Sequence, residues 1–124
     1  MNIGTGLDRL AAVEALIDTS ASGQVHPRAA VFLLRRALEE RLDAYIAANE
    51  PGLSRCRTET KAVWLAHRLT PGLAGRFAGV WHALCGASHF HQSALPPTAA
   101  ELRSWHEDVA FVLSAIRAPT APNS

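Results

Sequence analysis

The fold of this chain is decided by its last apolar stretch, PTAAELRSWHEDVAFVLSAI, at residues 97–116. Thr98 and Glu101 have the spacing of a capping box, in which each side chain accepts a hydrogen bond from the other residue's backbone N–H at a helix start. Behind the box, apolar residues recur every three or four positions, namely Leu102, Trp105, Val109, Val112 and Ile116. This is the period of one helix face, so the stretch predicts an amphipathic α-helix.

The same period recurs earlier in the chain, between short turns rich in Pro and Gly. It predicts further helices from about Thr5 to the TSASGQ stretch at residues 19–24, from Pro27 to Asn49, from Thr58 to Leu69, and from Leu73 to Phe90. No stretch alternates apolar and polar residues for long enough to predict a sheet. We therefore predict an all-α fold, an antiparallel bundle of four to five helices. It forms a single domain at residues 1–117, with a disordered tail at residues 118–124.

Composition narrows the class of protein. A net charge of +1 gives no general attraction to nucleic acid or to a membrane surface, so any RNA contact requires a local patch. No apolar run approaches the ~18 residues that a membrane span needs, and the N-terminus does not resemble a secretory signal. Cys56 and Cys85 are too few for a disulfide framework. We expect a soluble, cytoplasmic protein that uses no cofactor.

Chemistry-bearing residues are concentrated in WHALCGASHFHQ, residues 81–92, which holds three of the six histidines and one of the two cysteines. At about 100° per residue, the core stripe of this helix contains Leu73, Phe77, Val80, Trp81, Leu84 and Ser88. His82, Cys85 and His89 form a second stripe beside it, so their side chains can converge on one point. Metal binding, with His91 as a fourth ligand, is one use of such a group. A polar helix end, where imidazolium is favoured near the last carbonyls, is another.

Cleavage of RNA is a third use of the same group, because neutral imidazole and imidazolium coexist near neutral pH. Two histidines can serve as base and acid, and a guanidinium can hold the developing charge. Arg76 is the nearest guanidinium, although it points about 120° away from His82 around a helix. The spacing of His82, Cys85 and His89 matches no known zinc signature, so no metal ligand is assigned. The short basic run Arg55, Arg57 and Lys61 is a candidate contact for the RNA backbone.

Two further features sit on the last two predicted helices. The penultimate helix carries Arg76 and His82 with five residues between them, and the last helix begins PT-x2-EL. In a small all-α chain these features resemble the HEPN superfamily of prokaryotic conflict and stress systems, over roughly Pro27 to Arg117. The resemblance implies a metal-independent endoribonuclease of a bacterial defence or toxin-antitoxin system. It also implies a homodimer in which the Arg and His of both subunits line one RNA-binding cleft.

The resemblance allows a second register, in which His89 takes the family's histidine position and His82 takes its arginine position. The candidate catalytic residues are therefore His82, His89, Arg76 and His91. One alternative function is a non-catalytic helical module that uses the same dimer surface to bind a partner protein, such as an antitoxin or an effector. A second alternative is a metal-binding helical protein that uses His82, Cys85 and His89.

Surface patterns complete the predictions. Phe32, Leu33 and Ile46 lie outside the main apolar stripe of the longest helix and predict a second buried face. Arginines at residues 35–36 and glutamates at residues 39–40 have the spacing of opposite charges on a solvated helix surface. The third helix is predicted to turn four residues inward, namely Val63, Leu65, Ala66 and Leu69.

Overall fold

The computed structural model describes residues 6–18, 27–89 and 95–116 of the chain. These residues form five α-helices, one short 3-10 turn and no β-strand, so the all-α prediction is confirmed. The helices are α1 (Gly6–Asp18), α2 (Pro27–Asn49), α3 (Thr58–Ala66), α4 (Pro71–Ser88) and α5 (Ala99–Ala115). The predictions about Thr5, residues 19–24, His91 and the tail at residues 118–124 lie outside the described residues.

One hydrophobic core draws buried side chains from all five helices. α2 lies at its centre, because it packs against each of the other four helices. Its inward stripe is Leu34, Leu38, Leu42 and Ile46, spaced four residues apart and each at most 1% exposed. Burial of such a side chain contributes roughly 1.5–3 kcal/mol relative to leaving it in water. None of the described helices is long and apolar enough to cross a membrane.

Both ends of α5 are held by side chains. At its start the predicted capping box is present: the Thr98 hydroxyl accepts from the Glu101 N–H at 3.1 Å, and the Glu101 carboxylate accepts from the Thr98 N–H at 2.9 Å. At its end the Arg41 guanidinium of α2 donates to the carbonyls of Leu113 and Ile116. A cation on the last carbonyls of a helix complements their partial negative charge. These contacts fix α5 on α2.

Two ion pairs attach α2 to its neighbours. Arg9 of α1 holds Glu40 with two parallel hydrogen bonds of 2.8 Å. These bonds lower the pKa of the Glu40 carboxyl, against the opposing effect of burial. Lys61 of α3, only 6% exposed, donates to the Asp43 carboxylate at 2.8 Å. A buried ammonium requires such a partner, so Lys61 serves to attach α3.

The prediction for α3 was partly wrong. Leu65 is fully buried as expected, but Val63 is 62% exposed, and the helix ends at Ala66 rather than Leu69. The physical reason is that α3 packs mainly against α2 and α4, so it buries one narrow stripe. Lys61 occupies part of that stripe in place of an apolar side chain. The remaining apolar side of α3 faces a groove beside α4.

The second buried face predicted for α2 is present only in part. Leu33 packs against the core, whereas Ile46 belongs to the main inward stripe itself and Phe32 is 59% exposed. The spacing of apolar residues along α2 could not show which of them the other helices cover.

Candidate functional site: the outward face of α4

The helix that carries the histidines is continuous from Pro71 to Ser88. It begins at Thr70, whose hydroxyl accepts a hydrogen bond from the Leu73 N–H at 3.3 Å, and Pro71 occupies the first turn, where its missing N–H costs nothing. It ends at His89, whose backbone N–H donates to the Gly86 carbonyl at 3.2 Å. His82 therefore lies within the helix and His89 lies at its last turn.

The inner side of α4 is the predicted core stripe. Its buried residues are Phe77, Val80, Trp81 and Leu84, which confirms the prediction for the centre of the stripe. The rings of Phe77 and Trp81 stack with centroids 6.5 Å apart, and the guanidinium of Arg35 lies 5.5 Å from the centroid of the Trp81 ring. This inner side fixes the rotation of α4 in the bundle and so determines which residues face outward.

The predicted convergence of His82, Cys85 and His89 is not found. Cys85 is half-buried against the core, whereas both imidazoles are exposed. Burial raises the pKa of the Cys85 thiol, although Arg35 opposes the effect, so the metal-binding thiolate is disfavoured at neutral pH. Within residues 6–18, 27–89 and 95–116, no group of three or more His, Cys, Asp or Glu side chains could hold a metal ion. The described residues therefore do not support the metal-binding alternative.

Arg76 points away from His82, as the helical geometry predicts. Its Nε donates to the Asp108 carboxylate of α5 at 2.9 Å, and its guanidinium lies 4.0 Å from the centroid of the Phe111 ring. His82 lies on the other side of α4, at the groove shared with α3. A single chain thus does not bring together the Arg and His of the resemblance.

The predicted basic run of Arg55, Arg57 and Lys61 does not form one exposed patch. Arg55 and Arg57 are exposed, and Arg57 has Glu59 at 3.8 Å. Lys61 is buried and paired with Asp43, so it could reach a phosphate only by breaking that pair. Of the predicted RNA contacts, Arg55 and Arg57 are the ones that lie at the surface. The other predicted site residue, His91, lies outside the described part of the chain.

A groove of about 300 Å³ runs between α3 and α4. Small apolar side chains form its walls, including Ala62, Val63 and Ala66 from α3 and Ala74 and Ala78 from α4. Its floor includes the buried rings of Phe77 and Trp81, and its polar lining residues are Glu59 and His82. Sequence reasoning missed this groove because it read the apolar residues of α3 as core.

Beside the groove, α4 turns glycines toward solvent. Gly72, Gly75, Gly79 and Gly86 are all exposed, and a Cβ added at any of them would meet nothing within 4 Å. At about 100° per residue, these glycines share an arc of roughly 100° with His82 and His89. We call these six residues the outward face of α4. Each glycine destabilises the helix by roughly 0.5–1 kcal/mol relative to alanine, and no contact within the described chain explains that cost.

The glycines were visible in the sequence but were not interpreted there. Their signal is the spacing of four between Gly75 and Gly79, continued by Gly86 on the same side. That these glycines face solvent follows from the rotation of α4 in the bundle, which the packing of its inner side determines.

Comparison with known proteins adds no relative: no protein-family model, no curated protein and no solved structure matches this chain. The features that bear on its function are the outward face of α4 and the groove next to it.

Proposed function

We propose that this chain is a dimer-forming helical module, an antiparallel HEPN-like bundle in which two copies pair through the outward face of α4 and the adjoining groove. The observation that carries the proposal is the exposed apolar groove, which lies directly beside a helix face that carries four exposed glycines. The HEPN resemblance supports it, because it implies a homodimer in which the Arg and His of both subunits line one cleft.

A second copy is the occupant that fits this surface best. Glycine allows another backbone to approach closely, and a twofold axis places the same surface of both copies in contact. The groove also carries Glu59 and His82 among its lining residues. In a twofold pair each copy offers a carboxylate and an imidazole, which attract each other when the imidazole is protonated. The exposed Val63 side chain would lose its contact with water in the same arrangement.

Sedimentation velocity tests the pairing. The wild-type protein should sediment as a dimer, and Gly79→Leu should weaken the dimer by about tenfold or more, because an overpacked contact costs ~1–3 kcal/mol. Ala44→Leu is the matched control, since Ala44 is an exposed helical position on α2. A monomeric wild-type protein, or equal dissociation constants for the two variants, would overturn the proposal.

A second candidate function is metal-independent cleavage of RNA at the same surface. The observation that favours it is that His82 and His89 are both exposed on one side of α4, about two turns or 10 Å apart along the axis. The non-catalytic module remains the first proposal, because Arg76 is held by Asp108 rather than beside His82.

The chemistry of this candidate needs no external reactant. One imidazole removes the proton of a 2′-hydroxyl, whose oxygen attacks the adjacent phosphorus. The bond from phosphorus to the 5′-oxygen breaks, and an imidazolium gives that oxygen a proton. The products are a 2′,3′-cyclic phosphate and a free 5′-hydroxyl. Pairing of two copies across α4 would place four imidazoles along one cleft, so acid and base need not come from the same chain.

Incubation of the protein with single-stranded RNA in EDTA separates the two candidates. Cleavage that is lost in both His82→Ala and His89→Ala, but kept in His67→Ala, identifies an RNase at this face. His67 is the matched control because it is exposed and lies on the turn after α3. A dimer that leaves RNA intact is instead a non-catalytic module. Cleavage that survives both α4 substitutions excludes His82 and His89 as the catalytic residues.

A further inference from the structure

A recess of about 200 Å³ lies between the start of α2 and the end of α4, within a single chain. Its lining residues are Arg28, Val31, Phe32, Arg35, Ala87 and Ser88. Two of these side chains are cationic, and none of the described residues that line the recess is acidic. The charged residues that line the recess are thus both basic, as a site for an anion requires, and the recess is separate from the apolar groove between α3 and α4.

Arg35 is incompletely paired at this position. Its Nη2 lies 3.7 Å from the Glu39 carboxylate, which also interacts with Arg36 at 3.2 Å. Its Nε is buried and has no hydrogen-bond partner among the described residues. A buried N–H without a partner is costly, roughly 1–3 kcal/mol. The guanidinium of Arg35 lies 5.5 Å from the centroid of the Trp81 ring, a contact that helps to hold it in place. The side chain is 30% exposed, so a ligand would meet its outer nitrogens rather than the buried Nε.

Phe32 gives the recess an aromatic surface. It lies on α2 between the two arginines, four residues after Arg28 and three before Arg35, and it is 59% exposed. An exposed aromatic ring next to guanidinium groups is the combination that binds a nucleobase and its phosphate. The Ser88 hydroxyl donates to the Leu84 carbonyl at 2.8 Å, so it is not counted as a phosphate donor.

We propose that this recess binds the phosphate of a nucleotide, with Arg28 and Arg35 on the phosphate and Phe32 stacked on the base. The volume is below the roughly 300 Å³ of an ordinary small-molecule pocket, so the phosphate enters the recess and the base lies over its rim. The nucleotide is either free or the end of a single RNA strand. The site is independent of dimer formation, because all of its described lining residues belong to one chain.

Isothermal titration with three probes tests the site: adenosine 5′-monophosphate, a 5′-phosphorylated oligoribonucleotide and inorganic phosphate. Both nucleotide probes should bind more tightly than inorganic phosphate if the strand end is the ligand, and only the mononucleotide should do so if a free nucleotide is the ligand. Arg35→Gln should weaken nucleotide binding by about tenfold. Phe32→Ala should weaken nucleotide binding by about fivefold or more without changing the binding of inorganic phosphate.

Arg68→Gln is the matched control, because the Arg68 guanidinium also lies over a tryptophan, 5.0 Å from the centroid of the Trp64 ring. It should leave binding unchanged. If Arg35→Gln fails to fold, as judged by circular dichroism, Arg28→Gln takes its place, since Arg28 is exposed. Absence of binding for all three probes, an equal loss in the Arg68 variant, or unchanged nucleotide binding in Phe32→Ala overturns the site.

Discussion

The two sides of α4 differ in composition and in burial. The inner side carries Phe77, Val80, Trp81 and Leu84, all buried in the core. The outward face carries glycines and two exposed histidines over the same length of helix. The inner side is explained by the chain's own packing. Within the described residues the glycines of the outward face weaken the helix without a contact in return, which supports the proposal that a second molecule covers this face.

The largest expected loss of stability comes from a substitution on the inner side of α4. Leu84 is fully buried, and Leu84→Ala removes its side chain from the core. We expect a loss of about 2–5 kcal/mol in the free energy of unfolding, from lost burial and the cavity left behind. Urea denaturation measures it. His82→Ala, two residues away on the outward face, is the comparison, and a loss of similar size there would contradict the division of α4 into two sides.

The ion pair between α1 and α2 predicts a smaller effect, which depends on pH. Glu40 is bound to Arg9 at the border of the core, and this pair lowers the pKa of Glu40 in the folded state. Its stabilisation is fully present above the ordinary carboxyl pKa of about 4.3 and is lost as the pH falls through the lowered folded value. Glu40→Gln should therefore cost about 1 kcal/mol at pH 7.

Thermal unfolding of wild type and Glu40→Gln across the acidic range measures this effect. The difference between the two proteins should shrink as the pH falls below about 4.3. A difference that stays constant down to the acid transition would show that the ion pair contributes nothing.

The outward face predicts an effect of opposite sign. Gly75→Ala and Gly79→Ala each place a methyl group in open space, so each should stabilise the isolated chain by roughly 0.5–1 kcal/mol. Thermal unfolding at concentrations below the dimer dissociation constant isolates this term. Destabilisation under those conditions would mean that the glycines are needed within the chain itself.

The smallest effect concerns the border between the two sides. Arg76 and Asp108 are 40% and 31% exposed, so Arg76→Gln should cost only about 0.2–1 kcal/mol of stability. If the protein cleaves RNA, the variant should keep most of its activity, because Arg76 faces α5 and not His82. A complete loss of cleavage in a folded Arg76→Gln protein would restore Arg76 to the catalytic site.

The sequence was sufficient for features that depend on local spacing. The capping box at Thr98, the bounds of α2 and the centre of the α4 core stripe were all predicted, because each follows from a repeat of three or four residues. The burial of Lys61 and the exposure of Val63 were not, since both depend on which edge of the short helix α3 meets its neighbours.

The candidate site was predictable only in its composition. The spacing of His82 and His89 correctly placed them on one side of α4, and both are exposed. It placed Cys85 with them, although a rotation of about 40–60° from the two histidines is enough to bring this side chain against the core. The groove and the recess each lie between two helices, and their shape depends on how those helices pack, so no local pattern could indicate them.

Disulfide cross-linking across the outward face tests the central claim most directly. In a chain with Cys56→Ser and Cys85→Ala, the substitution Gly79→Cys should give a covalent dimer on mild oxidation, because paired glycine faces bring the two Cα atoms within roughly 4.4–6.8 Å. Ala44→Cys on α2 should remain monomeric under the same conditions. Cross-linking of Ala44→Cys, with none in either Gly79→Cys or a second variant, Gly75→Cys, would show that two copies do not meet through α4.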